Sequence, residues 1–246
     1  RPLAEPEAVL LSLALPKGLP DAQLLALVDG AQQAALAVGA RLVGGNLSSA
    51  EALALHTTVV GRSPGRILQR RGARVSDGIF ISGPLGGAAA GLAALLQRDR
   101  QTPSDMPGPD LTPFITRWQA PSPHFEAARR ALRAGATAAI DLSDGLVQDL
   151  SHLCRASAVG ATLHLAALPQ APGLAAAAAA LGQDVNPWLL SGGEDYVLLL
   201  TLPAGAPRVS GLWRIGAITE DTGQVRVLDA NGHPVPCDQG GFVHRG

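Results

Sequence analysis

Apolar residues recur along this chain with two spacings, one typical of strands and the other typical of helices. Short alternating or apolar runs predict strands at residues 8–15, 41–43, 52–60, 79–82, 138–140, 161–168, 196–202 and 213–218, with a final hairpin over residues 224–236. Apolar residues three or four positions apart predict helices that start near residues 21, 88, 124, 146, 174 and 186. This order of strands and helices predicts an α/β fold.

Glycine and proline mark where the chain turns between these elements. The segments 41–43 and 52–60 flank Gly44, Gly45 and Asn46, and we expect them to form a hairpin-like pair with the glycines at its turn. Residues 98–112 are polar and rich in Asp and Pro, which predicts a surface loop. Glycine and proline also punctuate residues 64–74, so we expect two domains, residues 1–72 and 73–246.

The first candidate site is the connection that follows the predicted strand at residues 138–140. Asp141, Ser143 and Asp144 lie on it, and strand-to-helix connections are where α/β proteins hold ligands. Two carboxylates with a hydroxyl between them, followed by the free N–H groups of a helix, could hold a divalent cation and a phosphate together. The alternative is that Ser143 or Asp144 only caps the helix and Asp141 is solvated.

A second acidic turn precedes the predicted strand at residues 196–202. It reads Gly192-Gly193-Glu194-Asp195, and paired glycines next to two acids are typical of a loop that approaches a ligand closely. The alternative is an ordinary turn whose charges are solvated.

Composition excludes several classes of function. The formal net charge is −1, which argues against a nucleic-acid partner, because such proteins carry a basic surface. No apolar run is long enough to span a bilayer and no signal peptide is evident, so we expect no membrane association and a cytoplasmic location. Lys17 is the only lysine, and its turn lacks the spacing of a Walker-type phosphate loop. Any nucleotide phosphates must therefore be neutralised by arginines, metal-bound carboxylates or helix N-termini.

The cysteines and the acidic turns offer no covalent chemistry. Cys154 and Cys237 lack the spacing of a zinc site, and we interpret both as packing thiols. Ser143 has no histidine paired with it in the motif. We therefore identify no catalytic nucleophile.

Four segments, taken in chain order, resemble the thiamine-monophosphate kinase family of the aminoimidazole ribonucleotide synthetase-like superfamily. They are Gly44-Gly45-Asn46, residues 66–70, residues 140–150 and residues 191–196. The resemblance extends over residues 1–244 and implies a two-domain α/β fold, in which an N-terminal sheet domain forms a homodimer with ATP near its interface. It also implies the ATP- and Mg²⁺-dependent conversion of thiamine monophosphate to thiamine diphosphate by direct phosphoryl transfer.

The resemblance assigns a role to each matching residue. It implies metal binding by Asp141 and Asp144, ATP binding by Gly45, Asn46, Arg70 and Ser143, and substrate binding by Glu194 and Phe242. Asn46 stands where the family has an aspartate, and it would be the weaker magnesium ligand because its amide is neutral.

The sequence also departs from the family pattern. The family carries an N-terminal segment with a Gly-Asp-Asp motif and further acidic ligands, and this sequence starts beyond it, at Arg1, so we expect the metal site in this chain to be incomplete. Ala120 and His124 replace the arginines of an Arg-Pro-x-Pro-Arg run. Two alternatives therefore stay open. One is a superfamily member with a different acceptor, such as an ATP-dependent synthetase. The other is a non-catalytic, dimeric ligand-binding protein.

Overall fold

The computed structural model of the chain describes residues 5–63, 65, 67–98 and 109–237. The chain divides into two compact units, Arg1–Ile67 and Leu68–Gly246. Among the described residues, each unit has one sheet, with three strands in the first and six in the second. The mixed α/β class predicted from the sequence is confirmed.

The first unit contains, in chain order, β1 (Glu5–Pro16), α1 (Asp21–Ala37), β2 (Arg41–Ala50) and β3 (Ala54–Arg62). Alternate residues of β1 are buried, namely Val9, Leu11 and Leu13, as the sequence pattern predicts. Ala35 of α1 packs in the same small core as Val9. The helix returns the chain to the starting end of β1, so β2 can lie beside β1 in parallel.

The predicted hairpin between the second and third strands is wrong. β2 and β3 lie on opposite sides of β1, which pairs with β2 in parallel and with β3 antiparallel. The link at residues 51–53 is long enough to pass the end of β1, since two strand spacings amount to about 10 Å. Gly44, Gly45 and Asn46 consequently lie inside β2 and not at a turn.

The sheet of the second unit has the order β5-β7-β4-β8-β6-β9, and its neighbours are antiparallel except for β6 and β9. Its strands are β4 (Gly78–Ile81), β5 (Ala138–Asp141), β6 (Gly160–His164), β7 (Leu198–Leu202), β8 (Trp213–Thr219) and β9 (Val225–Leu228). The strand predicted at residues 161–168 ends earlier, because Leu165–Ala167 form a 3-10 turn. The second arm of the last hairpin reduces to one bridge between Leu228 and Pro234.

Helices pack on both faces of this sheet. They are α2 (Gly87–Arg98), α3 (Thr112–Gln119), α4 (Phe125–Arg133), α5 (Leu146–Ser157), α6 (Leu174–Leu181) and α7 (Val185–Leu190). Leu199 of β7 faces the large core that contains α5, and its neighbour Leu200 faces a smaller core with Ala131 of α4. Sequence patterns missed α3, a short helix with Pro113 in its first turn. Most of the loop predicted before it, residues 99–108, lies outside the described residues. Within the described ranges, no helix is both long and apolar enough to cross a membrane.

Candidate functional site

The acidic turn between β5 and α5 has the strand-turn-helix geometry that the sequence predicts. Asp141 ends the strand and is exposed, while Ser143 and Asp144 are half-buried. Gly145 precedes the helix with a φ of 125°. A side chain at Gly145 would be strained by this φ, and its Cβ would lie 2.9 Å from the carbonyl oxygen of Ser191. Only glycine therefore fits between the two loops.

The interpretation of Ser143 or Asp144 as the helix cap is wrong, because neither side chain caps α5. No side chain caps α5 at Gly145. Instead, Oδ2 of Asp149 accepts hydrogen bonds from the backbone N–H groups of Ser143, Asp144 and Gly145 at 3.0, 3.0 and 3.2 Å. These three N–H groups, which precede the helix, are therefore unavailable to a phosphate. The free N–H groups expected beyond the turn are those of α5 itself, which begins at Leu146. The carboxylate of Asp144 is not used as a cap.

Asp149 itself was not singled out from the sequence. It lies in the first turn of α5 and is only 2% exposed. Burial raises the pKa of its carboxyl group, and the three backbone N–H groups oppose that shift, while the charge of Asp144 adds to it. Its position four residues after the N-cap glycine was the available signal, because a carboxylate there can reach back to the turn.

The second acidic segment lies directly on this turn. The backbone N–H groups of Glu194 and Tyr196 donate to the carbonyl oxygens of Ser143 and Leu142, each at 2.9 Å. A Cβ at Gly193 would overlap the carbonyl oxygen of Ser143. Glycine at this position permits the close contact between the two acidic segments. The structure thus brings Glu194 together with Ser143 and Asp144.

Neighbouring acids of this segment point in opposite directions. Glu194 lines a cavity, whereas Asp195 is buried and its carboxylate accepts from the backbone N–H groups of Gly86 and Ala88 at 2.7 and 3.1 Å. The Nε of Arg117 lies 3.2 Å from the same carboxylate. The alternative of two solvated charges is therefore wrong for Asp195, which anchors the loop to the N-terminus of α2.

Burial raises the pKa of Asp195, and the two backbone N–H groups and Arg117 lower it without reversing the shift.

The backbone on both sides of Asp195 is unusual. Glu194 and Tyr196 have φ values of 65° and 48°, in the left-handed region that side chains rarely adopt. Such strain persists where the surrounding contacts impose it and is common at functional sites.

The two acidic segments form part of the wall of a cavity of about 590 Å³. Its polar wall includes Ser143, Asp144 and Glu194. The remaining wall is largely apolar and aromatic, with Ala88, Ala89, Leu92, Ala93 and Leu96 of α2, together with Trp118, Trp188 and Tyr196. The cavity therefore combines carboxylates with flat hydrophobic surfaces.

The pKa of the Tyr196 phenol is raised by burial and by the negative charges around this cavity. Burial raises its pKa most, followed by the charges of Glu194 and Asp141, a hydrogen bond with Glu194 and the charge of Asp144. All of these effects disfavour the phenolate. Tyr196 is therefore a neutral hydrogen-bonding group at physiological pH.

The oxygen donors of the turn suit a hard divalent cation. Asp141 and Asp144 supply carboxylates, and Ser143 supplies a hydroxyl between them. The described part of the chain contains no cluster of three or more Asp, Glu, His or Cys side chains that could hold a metal ion. Magnesium commonly binds one or two carboxylates and completes its shell with water and substrate phosphates. The donor set thus fits a cation shared with a phosphate.

Arg70 belongs to the second unit and lies near the edge strand β5 and the end of α5. Its carbonyl oxygen accepts from the Ser157 hydroxyl at the C-terminal end of α5, and the carbonyl oxygen of Gln69 accepts from the N–H group of Ala139, two residues before Asp141. The compact units divide after Ile67, whereas a boundary after Gly72 was expected.

Gly45 and Asn46 belong to the first unit. Gly45 pairs with Leu11 of β1, and a Cβ at Gly45 would overlap the Leu11 carbonyl oxygen. Asn46 pairs with Ser12 and lines a cavity of about 360 Å³ that also includes Val28 of α1. Phe242, the remaining predicted site residue, lies outside the described residues. The roles of these residues and of Arg70 stay predictions.

Comparison with known proteins gives concordant results along the chain. The family described as "AIR synthase related protein, N-terminal domain" matches residues 3–63. The thiamine-monophosphate kinase of Mycobacterium tuberculosis is 36% identical over 227 residues, which cover 92% of this chain. The alignment spans 64% of the length of that relative, so this chain matches less than two thirds of it.

Two solved structures share both the fold and the sequence similarity. AaThiL complexed with AMPPCP and TMP is 30% identical, with a TM-score of 0.85, over 99% of this chain and 75% of that chain. Thiamine monophosphate kinase from Aquifex aeolicus is 30% identical, with a TM-score of 0.83, over 95% of this chain and 76% of that chain. Both cover the two units described above.

Proposed function

Because the chain belongs to the thiamine-monophosphate kinase family, we propose that the protein transfers the γ-phosphoryl group of ATP to the phosphate of thiamine monophosphate. The observation that carries this proposal is the meeting of Ser143, Asp144 and Glu194 at one cavity with an aromatic and apolar wall. Oxygen ligands suit a metal-bound phosphate, and flat apolar surfaces suit a heterocycle. The AaThiL structure contains AMPPCP and TMP, which agrees with a nucleotide and a second ligand.

The proposed reaction is a direct displacement. An oxygen of the thiamine monophosphate phosphate forms a bond to the γ-phosphorus of ATP, and the bond from that phosphorus to the β,γ-bridging oxygen breaks, giving thiamine diphosphate and ADP. Such a step needs positioning and charge neutralisation more than covalent assistance. Cys154 is unsuited to covalent assistance, because burial raises the pKa of its thiol to about 12.

We infer that Asp141 and Asp144 hold Mg²⁺ through their carboxylates and that Ser143 contacts ATP. When bound, Mg²⁺ neutralises charge on the phosphates. Further proposed ATP contacts are Gly45, Asn46 and Arg70, with Asn46 also a weak metal ligand. Two carboxylates do not make a complete protein cage, and magnesium commonly completes its shell with water and substrate phosphates.

For the organic part of the substrate, we propose a charge contact and a stacking contact. Glu194 lies at the cavity, where its carboxylate can offset the positive charge of a thiazolium ring. Phe242 is the proposed aromatic partner for the flat heterocycle. Trp118 and Trp188 extend the aromatic wall of the cavity.

We also propose that the first unit forms the homodimer contact. Its strands expose large apolar side chains, including Val43 at 59%, Leu47 at 62% and Val59 at 66%. Exposed apolar side chains of this number favour a protein interface. Light scattering of the full-length protein should give twice the mass of one chain, and Val59→Glu should lower it, whereas a monomeric wild type would contradict the proposal.

The decisive experiment measures thiamine diphosphate formation by the full-length protein with ATP, Mg²⁺ and thiamine monophosphate. Asp144→Asn should weaken Mg·ATP binding about 10- to 100-fold with little change in thermal stability. Asp221→Asn is the matched control, because it removes the same charge from an exposed ion pair with Arg226. Unchanged nucleotide affinity in Asp144→Asn would refute the metal role.

The alternatives give different results in the same assay. A superfamily member with another acceptor would consume ATP only when that acceptor is supplied. A non-catalytic ligand-binding dimer would bind nucleotide or thiamine monophosphate in calorimetry without forming ADP. Either outcome in the wild-type protein would overturn the kinase assignment.

A further inference from the structure

The backbone of the turn that carries Asp141 and Asp144 is held by hydrogen bonds to one buried carboxylate oxygen. Oδ2 of Asp149 accepts three consecutive backbone N–H groups, those of residues 143, 144 and 145, at 3.0 to 3.2 Å. Three donors that converge on one carboxylate oxygen define the local backbone path more tightly than a single helix cap does.

We propose that Asp149 is a positioning residue that sets the backbone of this turn and thereby the placement of the carboxylates of Asp141 and Asp144 for a divalent cation. The inference rests on the proposed function in one respect, namely that these two carboxylates bind the metal. Asp149 does not itself line the cavity. It acts through the turn and touches neither metal nor substrate.

The geometry around the turn supports this role from two sides. On one side, the N–H groups of residues 143–145 point to Asp149. On the other side, the carbonyl oxygens of Leu142 and Ser143 accept from Tyr196 and Glu194. With its donors and acceptors both engaged, the turn has little freedom to rotate, and the side chains of Ser143 and Asp144 are left to line the cavity.

The arrangement also selects the kind of ligand that the turn accepts. Backbone N–H groups at a helix N-terminus ordinarily attract an anion. Here an internal carboxylate occupies the N–H groups of Ser143, Asp144 and Gly145, directly before the helix, and it adds a third negative charge near Asp141 and Asp144. The turn itself therefore favours a cation over a free anion.

The burial of Asp149 indicates more than a capping role. A carboxylate that is 2% exposed loses its hydration, and hydrogen bonds recover only part of that loss. A solvated Ser, Thr or Asn at position 145 would be a simpler cap, but the close approach of Ser191 excludes any side chain there. Asp149 thus holds the turn from within the helix and leaves room for the second acidic segment.

The test compares Asp149→Ala, Asp149→Ser and Asp149→Asn in the full-length protein. The Ala and Ser side chains cannot reach the turn. Asn offers one carbonyl oxygen, and one oxygen can suffice because all three hydrogen bonds meet at a single oxygen in the wild type. Ser151→Ala is the matched control, because it removes a buried hydrogen bond to Val147 in the same helix without touching the turn.

The first readout needs neither metal nor activity. Hydrogen exchange of a peptide covering residues 142–148, measured in metal-free protein, should be at least about tenfold faster in Asp149→Ala and Asp149→Ser. The second readout is Mn²⁺ affinity by calorimetry, with Mn²⁺ as the probe for the divalent site. It should fall about 10- to 100-fold in the same two variants and less in Asp149→Asn, and stay at the wild-type value in Ser151→Ala.

The outcomes distinguish a failure of the positioning role from a failure of the proposed function. If the Ala and Ser variants keep wild-type exchange and Mn²⁺ affinity, the positioning role is refuted. If they do not fold, Asp149→Asn decides: fast exchange with intact Mn²⁺ affinity refutes the role, and fast exchange together with weaker Mn²⁺ affinity supports it. If the wild type binds Mn²⁺ but forms no thiamine diphosphate, only the proposed function fails. If the wild type binds no Mn²⁺, both fail.

Discussion

Glu194 and Asp195 are adjacent carboxylates with opposite environments, and exchanging each for its amide should separate stability from substrate binding. Asp195 is held by the N–H groups of Gly86 and Ala88 and by Arg117, with side-chain exposures of 2% for Asp195 and 27% for Arg117. Removing one member of a buried ion pair costs about 3–5 kcal/mol, because the remaining charge and donors lose their partner. We expect this loss in the free energy of unfolding for Asp195→Ala.

Asp195→Asn should cost less, about 1–2 kcal/mol, since the amide keeps one acceptor oxygen for the backbone N–H groups. The direction of the pKa shift supports this ranking. Burial raises the pKa of Asp195, so the fold disfavours the ionised form relative to the neutral one, and a neutral replacement forfeits less than complete removal. Glu194→Gln should stay within about 0.5 kcal/mol of the wild type, because its carboxylate lines an open cavity.

Urea unfolding, followed by tryptophan fluorescence, measures the free energy of unfolding of the second unit in each variant. The three tryptophans, Trp118, Trp188 and Trp213, all belong to the second unit, so the signal reports its unfolding alone. Parallel calorimetry should show weaker thiamine monophosphate binding in Glu194→Gln. A loss below about 1 kcal/mol in Asp195→Ala would show that Asp195 is not held in the interior. An equal loss in Glu194→Gln would show that the two carboxylates do not differ in environment.

Three further predictions follow from the same contacts. The chain has one tyrosine, so phenolate absorbance titrates Tyr196 alone; its midpoint should exceed the ordinary 10.0 and fall in Glu194→Gln, and a wild-type midpoint at or below 10.0 would contradict the described environment. Gly193→Ala should lower kcat/KM about 100-fold by forcing the two acidic segments apart, while Gly205→Ala, which meets open space, should leave it unchanged. Cys154 should react with a thiol reagent at pH 8 only after unfolding, because its pKa is raised to about 12; with the half-buried Cys237 replaced by serine, rapid labelling of the native protein would show that the helix face is open.

Local patterns predicted most elements of the second unit but not their contacts. The strand before Asp141 and the helix after Gly145 each depend on neighbours in sequence, and the structure agrees with both. The alternative of solvated charges at the second acidic turn fails for Asp195, whose partner Gly86 lies 109 positions away along the chain. A contact of that separation is created by the sheet and leaves no periodic signal near Asp195.

The first unit shows the same limit for strand pairing. Residues 41–50 and 54–62 have the lengths and alternation of a hairpin, and short connections usually join adjacent strands. The pairing changes because β1 has the most continuous apolar face and takes the central position between them. The sequence therefore predicted where the strands lie. The order in which they pair depended on which strand is buried most deeply in the core.

The charges of the described site make the proposed chemistry depend on a cation. Asp141, Asp144 and Glu194 surround one hydroxyl-bearing turn, and Asp149 occupies the N–H groups of Ser143, Asp144 and Gly145. The only lysine of the chain, Lys17, belongs to the first unit and follows β1. A nucleoside triphosphate brought to this turn without a counterion would meet like charge at the four carboxylates. Phosphate binding at the turn should therefore vanish when divalent cations are chelated, even though the fold of the second unit, with its buried ion pair and apolar core, stays intact.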